Sequence, residues 1–385
     1  MKVFKENGIT HLDLHGIRHN DVKNEVLDFT YQYQSEIPLI IICGNSNRMV
    51  EIVENSLNSN SIMFSKPRFG IIRVEKLITS LKKNEIIIEV KYLSIDPYMR
   101  GRMNDSKSYA APAKIGEPMT GETAGIVVES NSDLFNVGDK VCAHKGWQAY
   151  IKAKDTDPAL LKVPDSNIGL SSFLGTLGMP GRTAYFGLNR VGKPKSGETL
   201  VVSAASGAVG TVVGQLGKIY GCNVIGIAGG PEKCEYVKNV LQFDDCIDYK
   251  AGNLNDDLKN ACPNGIDIYF ENVGGPVSKA VAPMLNDGSR VPICGFISQY
   301  NEKDMMNVET PFHVFGALNP KPEHRFFVVT EWMNEWEQAT KEILQLVENE
   351  KMKYRETITK GFENAPQALR DVLTGKNFGK QIIEV

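Results

Sequence analysis

Between Leu200 and Gly214 the chain reads LVVSAASGAVGTVVG, a β-branched apolar run, then small residues, then glycines at Gly207, Gly210 and Gly214. This order predicts a buried strand, a tight turn and a helix that begins on glycine. A second apolar strand, Asn223–Ala228 (NVIGIA), follows at the spacing of a βαβ unit. Alternating strand and helix signals continue from about Thr199 to Phe296, with further strands at Ile266–Phe270 and Arg290–Cys294. The section therefore reads as doubly wound α/β.

On either side the period changes. From about Phe64, short alternating stretches punctuated by Gly, Pro and Asp (Ile86–Tyr92, Ala124–Glu129, Asp139–Ala143) predict a β-rich, barrel-like region. Pro180–Leu188 predicts a helix leading into the βαβ section. Trp332–Glu350 predicts a long amphipathic helix and Lys380–Val385 a closing strand. A β-rich part that brackets a doubly wound part implies one unit with a discontinuous first domain.

The first sixty residues follow a third pattern, strand–helix–strand–helix. Ile9–Leu14 alternates. Asn20 or Asp21 can cap a helix carrying Val22, Val26, Leu27 and Phe29. Ile37–Cys43 reads as a second strand, and Gly44–Asn47 turns into a helix with Met49, Val50, Ile52, Val53 and Leu57. Asn58–Ser61 (NSNS) reads as a linker. Phe69–Leu77 fits either the last strand of this piece or an early strand of the barrel.

At 385 residues two or three domains are expected. With 42% hydrophobic and 23% charged residues the composition is that of a soluble globular chain, and a net charge of −3 gives no general pull toward nucleic acid or anionic lipid. The start, MKVFKENGITHL, carries no signal-peptide core, and the longest aliphatic run, Ile37–Cys43, is too short to span a bilayer. Seven cysteines without a CxxC pair imply reduced thiols and a cytoplasmic setting.

The glycine turn predicts a dinucleotide site, because glycine lets the backbone approach a pyrophosphate and the helix start supplies free N–H donors. An NAD site would carry Asp or Glu at the end of the second strand to bind the ribose 2′-hydroxyl. Here that strand runs into Ala228-Gly229-Gly230 and then Pro231-Glu232-Lys233. Small residues leave room for a 2′-phosphate and Lys233 offers it a point charge, so the expected cofactor is NADP(H), with Glu232 as a counter-signal.

Six blocks occur together in one order: YLSIDPYMRGRM (Tyr92–Met103), LGTLGMPGRTAYFGL (Leu174–Leu188), AASGAVG (Ala204–Gly210), FENVGG (Phe270–Gly275), ICGFISQYN (Ile293–Asn301) and GKNFGK (Gly375–Lys380). From about Glu85 to Val385 the chain thereby resembles the zinc-independent medium-chain reductases of the prostaglandin reductase, alkenal reductase and curcumin reductase group. The resemblance implies a GroES-like β-barrel domain with an inserted Rossmann domain and a homodimer. It also implies NADPH-dependent reduction of the carbon–carbon double bond of α,β-unsaturated ketones or aldehydes. Carried over by position, the implied cofactor contacts are Gly207, Ala208, Val209, Lys233, Tyr249, Asn272, the run Cys294, Gly295, Phe296, Ile297, Ser298 to Tyr300, then Phe326, Phe327, Val328 and Asn377, with Gly210 opening the helix.

Hydride addition to an enone places negative charge on the carbonyl oxygen, so the site must donate a hydrogen bond there and later deliver a proton to carbon. A tyrosine hydroxyl serves either need without carrying charge. Tyr98, in the DPYMRGR segment, is expected to shape the pocket. Tyr300, just past a strand end, is expected to support the carbonyl, a role the cofactor's ribose hydroxyl could also fill. No metal is expected. Zinc-dependent relatives place a histidine between the residues corresponding to Gly121 and Glu122, which are adjacent here, and His144 near Cys142 reads as ordinary packing.

At the N-terminus Leu12-Asp13-Leu14-His15-Gly16, a helix, then IIICGNSN and another helix resemble a small MutS-related (Smr) domain, a family associated with nucleic-acid nicking or binding. Cys43-Gly44-Asn45-Ser46 lacks the second glycine and the lysine of that family's loop. Alternation would put His11, Asp13 and His15 on one strand face about 6–7 Å apart. The first 75 residues hold eight basic and nine acidic side chains, which gives no basic footprint. The expected layout is residues 1–63 as this module (or to 77), 64–180 as the first part of the GroES-like domain, 181–331 as the Rossmann domain and 332–385 as the rest of the GroES-like domain. The alternatives to an ene-reductase are a quinone reductase, a nucleic-acid-processing protein acting through residues 1–63, and an NADPH-holding redox sensor.

Overall fold

The computed structural model describes residues 2–60, 62–77, 81–105, 110–302 and 307–385. The first unit contains β1 (Lys2–Glu6), β2 (Ile9–Asp13), α1 (Val22–Gln32), β3 (Leu39–Ile42), α2 (Asn47–Ser59), β4 (Ile62–Arg68) and β5 (Ile71–Leu77). Its sheet runs β1-β2-β3-β5-β4, with β2 and β3 parallel across α1 and the remaining pairs antiparallel. Leu12, Val26, Phe29, Ile41, Val53 and Leu57 close a core of their own.

Phe69–Leu77 falls in this unit, because β5 pairs with β3, Val74 opposite Leu39. The turn before β5 needs Gly70. Its φ is +76°, and a Cβ there would lie 2.1 Å from the Gly44 carbonyl oxygen. Asn58–Ser61 does not form a linker where it is described. Helix α2 runs through Ser59, Ser56 Oγ donates to the Ile52 carbonyl, and Asn60 Nδ2 donates to that of Ser56. The polar side chains finish the helix instead of loosening the chain. Ser61 lies outside the described residues. Asp21 occupies the N-cap of α1 without a side-chain cap bond, whereas Ser46 caps α2 by accepting from Met49 N.

The next elements are β6 (Glu85–Ser94), α3 (Tyr98–Arg102), β7 (Thr123–Asn131), β8 (Lys140–Ala143), β9 (Tyr150–Lys154), β10 (Leu161–Lys162) and α4 (Met179–Phe186). The parallel section holds β11 (Thr199–Ser203), α5 (Gly210–Ile219), β12 (Asn223–Ala228), α6 (Pro231–Asn239), β13 (Asp245–Asp248), α7 (Leu254–Ala261), β14 (Ile266–Phe270), α8 (Gly275–Val281), β15 (Leu285–Ile293), α9 (Pro311–Gly316) and β16 (Glu323–Phe326). Then follow α10 (Trp336–Glu348), β17 (Glu356–Lys360), α11 (Ala365–Leu373) and β18 (Lys380–Glu384).

Two sheets result. One runs β10-β8-β7-β6-β18-β17, with β9 also on β6, so the chain's late strands complete the wall begun by β6. The other runs β13-β12-β11-β14-β15-β16, all parallel. This is the doubly wound order with its switch point between β11 and β14, where ligands gather at the carboxyl ends of the strands. All five residues of β11 are buried, as its continuous apolar run requires.

The long helix starts later than its periodicity suggests. Trp332 breaks helical geometry (φ −121°, ψ 31°) because its ring stacks on Phe186 at 5.3 Å, and α10 begins at Trp336. A buried ion pair ties the two folds together. Arg182 of α4 donates to Glu122, just before β7, at 3.0 Å, and its guanidinium lies 4.7 Å over the Trp336 ring. Among the described residues no helix is long and apolar enough to cross a membrane.

Candidate active site

The turn after β11 folds back on itself. Gly207 N donates to the Ala204 carbonyl, and a Cβ on Gly210 would lie 2.3 Å from that oxygen. Gly214 faces Phe243, whose ring a Cβ would meet at 1.8 Å, so this glycine sets helix packing. No side chain caps α5. The turn is thus a backbone cradle with helix-start N–H donors, which fits a pyrophosphate.

A cleft of about 500 Å³ opens at this turn and runs between the parallel sheet and the barrel. Gly207, Ala208, Val209 and Gly210 line its middle, and Lys233 and Tyr249 one end. Asn272, Cys294, Gly295, Ile297, Ser298 and Tyr300 line the other end with Phe326, Phe327 and Val328, while Tyr98 and Asn377 come from the barrel side. Phe296 is the exception among the expected residues. It turns away, its ring packing edge-on against Tyr300 at 5.5 Å and Phe312 at 6.4 Å, so its side chain builds the wall behind the cleft.

At the Lys233 end, the ammonium donates to the carbonyls of Gly375 (2.8 Å) and Asn377 (2.7 Å). Burial and then the neighbouring Lys250 charge pull its pKa down, while Glu232 opposes them. Gly229 has no room for a side chain, since a Cβ there would meet the Tyr249 ring at 2.8 Å. Asp248 is turned inward and accepts from Gly230 N and Lys250 N. Lys250 also lines the cleft, and sequence reasoning passed over it although it follows Tyr249 directly.

At the opposite end Glu271 is fully buried and accepts from Tyr269, Ser203 and Ser278 hydroxyls and from the Val273 and Gly274 amides. Burial raises its pKa, and these donors oppose the rise. The carboxylate thereby fixes the Asn272–Gly275 loop, and Asn272 Nδ2 donates to the Ser203 carbonyl. The Tyr300 hydroxyl accepts from Phe296 N at 3.3 Å, which orients the ring. Tyr98 opens α3, and two residues on Arg100 Nε donates to Asn301 Oδ1 at 2.9 Å, bridging the walls beside both tyrosines. Asp96 and Lys380, a pair at 2.7 Å with both side chains buried, line the same region and were not anticipated as site residues. Of the irregular stretch after Asn301, residues 303–306 lie outside the described residues.

The remaining candidates lie outside the cleft. His144 is exposed and pairs with Thr120 Oγ1, while buried Cys142 points its thiol at the Phe173 carbonyl, so the two do not pack together. In the N-terminal unit β2 ends at Asp13, which lets His15 curl back to bond the Asp13 carboxylate. His11 instead stacks on Phe4 at 5.1 Å and bonds the Ile9 carbonyl. The three side chains therefore form no common cluster. Among the described residues no group of three or more His, Cys, Asp or Glu side chains is placed to hold a metal.

Comparison with known proteins places these features in context. Residues 70–161 match the family described as the N-terminal domain of oxidoreductase, and residues 208–343 the family described as zinc-binding dehydrogenase. The chain is 46% identical to an NADPH-dependent curcumin reductase of Escherichia coli over 79% of its own length and 88% of that protein. It is 38% identical to a 2-alkenal reductase (NADP(+)-dependent) of Nicotiana tabacum over 83% and 94%. The crystal structure of CurA from Vibrio vulnificus in complex with NADPH superposes with a TM-score of 0.75 at 40% identity, covering 90% of this chain and 98% of that one.

Proposed function

Because this chain belongs to the medium-chain reductase family that includes the curcumin and alkenal reductases, we propose that it is an NADPH-dependent reductase of the carbon–carbon double bond of α,β-unsaturated ketones and aldehydes. The observation that carries this reading is the convergence of the Gly207–Gly210 cradle, Lys233, Tyr249, Tyr98 and Tyr300 on one cleft.

The residues that line the cleft fit the cofactor by their chemistry. The cradle holds the pyrophosphate on helix-start amides. Lys233 and Tyr249 flank the 2′-phosphate, with a glycine where an acid would repel it. Asn272 and the Cys294–Ser298 segment, held by Glu271, seat the nicotinamide. Bound there, NADPH supplies the hydride.

On the substrate side, Tyr300 donates to the carbonyl oxygen where charge develops. Its hydroxyl oxygen accepts from Phe296 N, which strengthens it as a donor. Tyr98 and the Arg100–Asn301 bridge wall the olefin from water. Glu122 is engaged by Arg182, and the reading needs no metal ligand. In the same reading residues 1–77 form a separate unit, residues 81–180 and 336–385 form the GroES-like part, and a second copy pairs along the free edge of β16. The nucleic-acid alternative draws no support from His11, which is engaged by the Phe4 ring and the Ile9 carbonyl.

The test is cofactor consumption over matched enals, enones and quinones, run with NADPH and NADH. Saturated ketone as product with NADPH supports the reading. Turnover of quinones alone, or a preference for NADH, overturns it.

A further inference from the structure

Cys234 and Cys246 sit on the two elements that frame the Lys233 end of the cleft. Cys234 directly follows Lys233 in the first turns of α6, and Cys246 lies in β13, two residues before Asp248 and three before Tyr249. In the sheet register Cys246 stands beside Gly226 of β12. A Cβ on Gly226 would lie 3.2 Å from Cys246 Sγ and 2.9 Å from Val237 Cγ1. The Cys246 sulfur therefore occupies the layer between the sheet and α6, on the face that carries Val237 and, one turn earlier, Cys234. There it faces the turn of α6 that carries Cys234, because the Gly230–Asp248 and Lys238–Asp245 contacts join α6 to β13 on either side of the pair.

We propose that these two cysteines are a reversible oxidation site, closing to a disulfide when a hydroperoxide is present and thereby weakening the grip on the 2′-phosphate. The proposal rests on the reading that Lys233 and Tyr249 meet that phosphate.

The two thiols have unequal roles. The neighbouring Cys246 thiol, aided by the Ala228 amide, holds the Cys234 thiol below its ordinary range against burial and the charges of Asp248 and Asp245. Cys246 is pushed up, by Cys234 first and then by burial. Cys234 is thus the attacking sulfur. Its thiolate takes the distal oxygen of the hydroperoxide, the O–O bond breaks, and the leaving alkoxide picks up a proton to become the alcohol. Cys246 then attacks the resulting sulfenic acid and water departs. In sum two thiols and one hydroperoxide give a disulfide, an alcohol and water.

A disulfide bond of about 2.05 Å is shorter than any contact between two thiols, so closure draws α6 and β13 together. The ends of these elements are already joined, by Asp248 accepting from Gly230 N and by the Lys238–Asp245 ion pair at 2.8 Å. The displacement therefore passes to Lys233 and Tyr249.

The experiment treats the full chain with hydrogen peroxide and follows three readouts. Peptide mass analysis should show Cys234 and Cys246 joined with loss of two hydrogens, reversed by dithiothreitol. Titration by nicotinamide fluorescence should show NADPH binding about tenfold weaker in the oxidised protein, with NADH binding unchanged. Cys234→Ser and Cys246→Ser, with the alanine variants as a check on folding, should each abolish both effects. Absence of the linked peptide, or unchanged NADPH binding once it has formed, overturns the proposal. Failure of the reduced protein to prefer NADPH overturns the cofactor reading, which the mass readout leaves separate.

Discussion

Lys233 and Asn377 meet across the cleft, the ammonium of one donating to the backbone carbonyl of the other at 2.7 Å. Lys233 belongs to the parallel-sheet domain and Asn377 to the loop that leads into β18 of the barrel. On the proposed reading the bond holds the cation beside the 2′-phosphate, and both domains share in cofactor selection. Replacing Lys233 with Ala should raise the Kd for NADPH about 10- to 100-fold, the weight of one or two charge-assisted hydrogen bonds. NADH binding should hardly change. Isothermal titration of both cofactors checks it, and equal losses for the two would place Lys233 outside the phosphate pocket.

The same lysine predicts a pH dependence. Burial and then Lys250 set its pKa below the ordinary lysine value. The ammonium is the binding form, so the preference for NADPH should be lost as pH rises through the lowered pKa. Lys233→Arg keeps its charge throughout and should flatten the profile. A wild-type profile as flat as that of the arginine variant would count against the ammonium as the selector.

Tyr300→Phe should lower kcat on an enone by about 100-fold, the scale of one lost oxyanion donor, with KM for NADPH little changed. Tyr98→Phe should act on KM for the enone instead, since that ring shapes the wall. Steady-state kinetics on one enone separates the two, and full turnover by the Tyr300 variant would pass the donor role elsewhere.

Glu122→Ala should lower stability by about 3–5 kcal/mol, because it strands the Arg182 guanidinium in the buried joint. Chemical denaturation measures this. A loss under 1 kcal/mol would mean that water reaches Arg182.

The parts legible in the sequence are those whose partners lie nearby in it. Gly207 and Gly210 announce a turn because the constraint sits within a few residues of Ala204. The Lys233 expectation could be formed from sequence because strand tip and cation are neighbours in the chain. The contacts of Lys233 to Gly375 and Asn377, and of Lys380 to Asp96, join residues that no local pattern connects. A run of carried-over positions could not tell which of its side chains turns outward, as that of Phe296 does. Phe69–Leu77 stayed open because an alternating strand fits either sheet, and only pairing with β3 decides it. His15 bonds Asp13 and His11 bonds the Ile9 carbonyl, the hydrogen-bonded strand edge that a short run of alternating polar residues favours.

The antiparallel seam between β18 and β6, with Ile382 beside Ser94, bears on biogenesis. The chain as far as Arg355 already holds every strand of the all-parallel sheet, yet its dinucleotide trough lacks the flank supplied by Asn377 and Lys380. The trough gains that flank only once β18 has paired with β6.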